Sequence, residues 1–158
     1  MQFISENIIN QILETFEQQE TFLEKTRQLW NEQPDLAEFV DGENQGLLNE
    51  SELGLLRFLT TLIYTACQQE SAKTKLSVPG KVLENCEEKN WEIFNDQTNK
   101  SFRAILDVFF LEYAQEDLLA LVEDTLQDEE DEAIVTSIGR EIIFIACKSI
   151  IDTIDLSN

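Results

Sequence analysis

The sequence predicts an all-α domain, and three observations carry that prediction. Apolar residues recur at helical spacing and do not alternate, only five glycines and two prolines interrupt 158 residues, and a 42% hydrophobic content is enough to fill one core at this length. No segment asks for a strand.

The first helix is predicted to start at a Ser5 cap and to run, with an apolar face of Ile9, Ile12, Phe16, Leu23 and Trp30, until Pro34 stops it. A short helix fits Asp35 to Val40. After the loop Asp41-Gly42-Glu43-Asn44-Gln45-Gly46, Asn49 with Glu52 three residues on has the form of a capping box. It opens a helix to about Gln69 whose apolar residues lie nearly all round (Leu53, Leu55, Leu56, Phe58, Leu59, Leu62, Ile63, Ala66), so this helix should be central. Residues 70–81 are the one predicted linker and the only locally basic segment, with Lys73, Lys75 and Lys81. Pro79 suits the start of the next helix, which carries Val82, Leu83, Cys86, Ile93 and Phe94. Further helices are expected over about Ser101 to Ala114, over Asp117 to Gln127, and from Ala133 to about Ile154. The acidic run at 128–132 stands at the N-terminus of the last one, where negative charge favours the helix dipole.

The chain also resembles itself. Residues 52–68 laid on 132–148 pair Leu62-Ile63-Tyr64 with Ile142-Ile143-Phe144 and Ala66-Cys67 with Ala146-Cys147. Upstream, Asp35 to Asp41 lies on Asp117 to Glu123, Thr21-Phe22 on Ser101-Phe102, and Ile12 to Glu17 on Val82 to Glu87. The expectation is a helical bundle of two pseudo-repeated three-helix halves, 1–75 and 76–158, packed about the helices of Leu53 to Gln69 and Ala133 to Ile154.

Charge narrows function more than any motif. Thirty-two Asp and Glu face eleven Lys and Arg, for a net charge of -21, and histidine is absent. Such a surface repels nucleic acid phosphates and anionic membranes, and it favours protein partners that are basic or apolar, a homodimer included. Without histidine, the commonest general base and transition-metal ligand is missing. The three cysteines, Cys67, Cys86 and Cys147, are odd in number and lack metal spacing; two sit in apolar runs, as buried reduced thiols do. The N-terminus has no basic region followed by an apolar run, and no stretch reaches the length of a membrane span. A cytoplasmic, non-enzymatic interaction or regulatory module is the function expected.

Two patterns offer alternatives. Asp41 to Glu52 resembles the twelve-residue calcium loop of an EF-hand, with Asp41 at position 1, Gly46 at the sharp turn, Leu48 at position 8 and Glu52 as the bidentate last ligand. Glu43 and Gln45 would fill positions 3 and 5, where the shorter Asp or Asn is usual, and no second hand is present. That resemblance implies a divalent-cation module, with calcium as the only cofactor in view; a solvated loop leading into a capped helix accounts for the same residues. Glu17-x-x-Glu20 followed by Glu38-x-x-Asp41 looks like the four-carboxylate magnesium cluster of all-α nucleotide pyrophosphohydrolases related to MazG. It implies magnesium-dependent hydrolysis of a nucleotide, but in a chain this acidic the spacing arises readily by composition. The acidic run at 128–132 fits a solvated helix start, a cation site, a docking patch for a basic protein or part of a nucleic-acid-mimicking surface. Arg57, Arg103 and Arg140 stand without a companion motif, and Trp30, Trp91, Phe109, Phe110 and Tyr113 are expected in the core.

Overall fold

A computed structural model describes residues 1–43, 46–97, 100–127 and 135–158. Among them are eight α-helices, one π-helical turn and no strand: α1 Glu6–Phe16, α2 Gln19–Glu32, α3 Pro34–Glu38, the turn Phe39–Glu43, α4 Glu50–Glu70, α5 Gly80–Asn95, α6 Phe102–Phe110, α7 Glu116–Leu126 and α8 Ser137–Ser157. The helical class is as predicted. None of these helices is long and apolar enough to cross a membrane.

The single N-terminal helix is corrected to two. Ile9, Ile12 and Phe16 are the buried stripe of α1, and Glu17 closes it before Gln18 turns extended as the N-cap of α2. On one straight helix Leu23 and Trp30 would continue that stripe, whereas Leu29 would point to the other side. The break re-aims the second segment so that Leu29 is buried and Leu23 is left 48% exposed. Phe16, Phe22 and Phe58 hold the corner in mutual edge and tilted contacts, with centroids 5.4–6.4 Å apart.

The central helices are α4 and α8, each 21 residues long. α8 is buried continuously from Ile142 to Ile151, which needs partners on every side: α5 covers it most extensively, with α4 and α7 against its other faces. α1 and α2 cover α4. Asn49 caps α4 through the capping box that the sequence predicts. α8 starts at Ser137, not Ala133, because the Thr136 hydroxyl accepts from the Gly139 N–H and sets the cap. α6 ends at Phe110, short of Ala114, where Leu111 turns extended and Glu112 adopts a positive φ of 52°.

Polar side chains fix the connections. The Gln33 amide donates to the Tyr64 hydroxyl and the Leu76 carbonyl, and the Leu76 N–H donates to the same hydroxyl, so the 71–79 loop is tied to α4. Asp35 accepts from the Gly80 N–H at the start of α5. Gln115 accepts from the Ile4 N–H and donates to the Gln2 carbonyl, which pins the N-terminal segment against α7.

Candidate functional site

Among the described residues Glu52 is the one buried carboxylate. Its side chain is buried, 2% exposed, and one carboxylate oxygen accepts from the Asn49 N–H at 2.9 Å, completing the capping box. The other accepts from the Thr136 N–H and hydroxyl, both at 2.8 Å, so one carboxylate closes the N-termini of both α4 and α8. Burial works to raise its pKa, but the hydrogen bonds from Asn49 and Thr136 outweigh it and hold the group below the ordinary 4.5. Gly139 leaves room for this arrangement: a Cβ there would stand 1.7 Å from a Glu52 oxygen.

Of the four candidate calcium ligands, Glu52 is thus spent on two helix caps. Asp41 is also engaged: the Trp30 indole N–H donates to one oxygen and Arg57 Nε to the other, each at 2.7 Å. Gln45 and the side chain of Glu43 lie outside the described residues, as does the acidic run at 128–132. The four residues of the pyrophosphohydrolase-like pattern are dispersed over separate elements: Glu17 caps the end of α1, Glu20 lies in the first turn of α2, Glu38 ends α3 and Asp41 lies in the π-helical turn. Among the described residues no three Cys, Asp or Glu side chains converge as ligands for one ion.

The three thiols are free and buried. Burial, reinforced by Asp155, pushes Cys67 up to about 12, and burial alone pushes Cys147 well above its ordinary value, so neither is a thiolate nucleophile near neutral pH.

A second polar cluster joins α5, α8 and the connection between α6 and α7. Lys148, 7% exposed, donates to Asp152 at 2.7 Å and lies over the Tyr113 ring at 4.4 Å. The Tyr113 hydroxyl donates to the other Asp152 oxygen at 2.7 Å, and Asn90 donates to Asp152 and Ser149. Burial and the Asp152 charge raise the Tyr113 pKa strongly. Every member has a partner inside the protein, which is the condition for burying an ion pair without a large penalty.

The concave surfaces lie elsewhere. A cleft of about 520 Å³ runs between α2 and α4, with Phe22, Leu23 and Trp30 as its apolar wall. Arg27, Arg57 and Asp41 edge it, and Gly54 keeps the α4 side flat. A cleft of about 380 Å³ between α6, α7 and α8 is walled by Phe102, Leu106 and Leu126, with Arg103, Arg140 and Glu123 at its edge. The Arg140 guanidinium lies 4.5 Å over the Phe102 ring. Burial raises the Glu123 pKa, with Asp124 and Asp107 adding to the effect and Arg103 opposing it. Two other depressions are acidic, one edged by Asp35, Glu38 and Glu84 and one by Glu6, Asp117 and Asp124.

Reading the sequence motif by motif misses these arginine-edged clefts. The one local signal near the first is that the apolar stripe of α1 has no member at 19 and 20, where the sequence carries Gln19 and Glu20. Comparison with protein-family models, with curated proteins and with solved structures finds no match to this chain.

Proposed function

We propose that this protein is a non-enzymatic binding module that engages another protein through its apolar clefts. The observation that carries the proposal is the α2–α4 cleft, where an exposed Leu23 and the partly buried Phe22 and Trp30 form a concave apolar wall on an otherwise acidic exterior. The net charge of -21 steers toward it partners whose surrounding surface is basic and holds off nucleic acid and anionic membranes. Three free thiols suit the reducing cytoplasm.

The module is built as two related halves. Two features support this: each half ends in a 21-residue central helix, and the paired blocks Leu62-Ile63-Tyr64 and Ile142-Ile143-Phe144 are buried in both. Capture from cell extract, with the wild-type protein and Leu23→Asp in parallel, tests the reading. A protein retained by the wild type and lost from the variant supports it; equal retention by both, or none by either, counts against it.

A further inference from the structure

The segment from Gln2 to Glu6 lies against α7, and side chains of α7 satisfy its backbone along one edge only. Gln115, 1% exposed, accepts from the Ile4 N–H at 3.0 Å and donates to the Gln2 carbonyl at 2.9 Å. Asp117 accepts from the Glu6 N–H at 2.9 Å. Residues 2, 4 and 6 therefore turn these groups toward α7, and the Gln115 amide makes the two bonds that one residue of a parallel strand would make on either side of Phe3. The side chains alternate in step, with Ile4 fully buried and Phe3 48% exposed, and Ser5 is extended at a ψ of 159°. Phe3 and Ser5 point their backbone the other way. Among the described residues the Phe3 N–H, the Phe3 carbonyl and the Ser5 N–H have no hydrogen-bond partner.

We propose that this open edge is a docking site for an extended segment of a basic protein, which adds to residues 2–5 as a neighbouring strand. A backbone held straight by a buried side chain is ordered before any partner arrives, so the pairing loses less to ordering. The described residues contain no sheet for the segment to join, which leaves its second edge to a strand from outside. The Phe3 ring offers that strand a cross-strand contact for an apolar or β-branched side chain.

Charge selects the partner. The segments around this edge, 1–24 and 104–139, contain no Lys or Arg, and neither does 149–158, which the Asp152 bond to the Tyr113 hydroxyl ties to the same connection as Gln115. Exposed Glu6, Glu112 and Glu116 stand on them. A segment that alternates Lys or Arg with apolar residues complements both the charge and Phe3, whereas a second copy of this chain would bring an equally acidic edge. The edge shares no residue with the α2–α4 cleft, so binding at either is read without the other.

The test titrates acetyl-Lys-Val-Lys-Val-Lys-amide into the 15N-labelled full chain at fixed ionic strength while backbone amide signals are followed. Two counterparts are run beside it: one N-methylated at every residue, which keeps the charges and side chains but cannot pair as a strand, and one with Glu for Lys. Saturable shifts centred on Phe3 and Ser5 are expected, with binding at least about tenfold weaker for the N-methylated peptide and no saturation with the Glu peptide. Ser5→Pro removes one of the open donors. The φ of -79° at Ser5 suits proline and its side chain makes no capping bond, so this variant keeps the fold and should bind about fivefold more weakly. Equal binding of the N-methylated peptide, unchanged affinity in Ser5→Pro, or shifts that spare Phe3 and Ser5 overturns strand pairing. Equal binding of the Glu peptide overturns the choice of a basic partner. Phe3 and Ser5 signals that move on dilution of the protein alone assign the edge to a second copy and overturn that choice as well. No saturable shift with any peptide overturns the whole inference.

Discussion

Two buried charges, Glu52 and Lys148, are stabilised in opposite ways. Glu52 is a lone anion held by neutral donors, the N–H groups of Asn49 and Thr136 and the Thr136 hydroxyl, at the point where two helix N-termini meet. Lys148 is a cation held by a full counter-charge, Asp152, one turn away on the same helix, with aromatic faces over it. The first arrangement spans 84 residues of sequence and joins the two central helices; the second is mostly local to α8 and its neighbours. Removing a charge therefore has different consequences at the two places. Loss of Glu52 strands donors of two helices, whereas loss of Lys148 leaves Asp152 with the Tyr113 hydroxyl and the Asn90 amide.

The largest expected effect comes from the glycine beside Glu52. Gly139→Ala places a methyl group where the carboxylate stands, and the carboxylate cannot move without breaking its bonds to Asn49 and Thr136. We expect a loss of about 3–5 kcal/mol in urea unfolding. A loss below about 1 kcal/mol would mean that the junction is loose, and the contrast with Lys148 would fail.

Next in size is the pair Glu52→Gln and Lys148→Met. In the first, the new side-chain amide would set its NH2 against the donors of Thr136 or Asn49, for a cost of about 2–4 kcal/mol. In the second, the thioether keeps the length and apolar stem of the lysine and Asp152 keeps the Tyr113 and Asn90 donors, so the cost should fall below that of Glu52→Gln and below the roughly 3–5 kcal/mol of a buried pair stripped of one partner. Equal costs would erase the distinction. Acid titration sharpens it. The folded-state pKa of Glu52 lies below its unfolded value, so its contribution is fully present above about 4.5 and is lost as pH falls through the lower folded value. Glu52→Gln should flatten that part of the acid limb of stability, and an unchanged limb would show that the carboxylate is not what the two helices share.

The smallest effect concerns cations. With Asp41 and Glu52 both engaged internally, calcium, magnesium and sodium at equal ionic strength should raise the unfolding temperature alike, by screening the self-repulsion of a chain at -21. A calcium-specific rise that disappears in Glu52→Gln would instead make the 41–52 loop a cation site.

Much of the helical plan is legible in the sequence because its signals are local. The Asn49–Glu52 capping box, the apolar girth of α4 and the Pro79 boundary are each read within one or two turns of sequence. The break at Glu17 and Gln18 is hidden because Leu23 and Trp30 happen to continue the stripe of α1. The acidic run resembles a first helical turn and so draws the predicted start of α8 back to Ala133, although the cap is Thr136. For Glu52 the local half of its role is readable and the distant half is not, since nothing near residue 52 signals Thr136. The arginines carry no motif because their grouping exists only once α2 meets α4 and α6 to α8 close around Phe102.

The burial of all three thiols turns the native chain into its own clock for opening. Cys67 lies in α4, Cys86 in α5 and Cys147 in α8, so an alkylating reagent in solution can reach each only when that helix parts from its neighbours. Without any engineered probe, the order in which the three are labelled would report whether the central pair of helices comes apart together or the α5 layer peels away first.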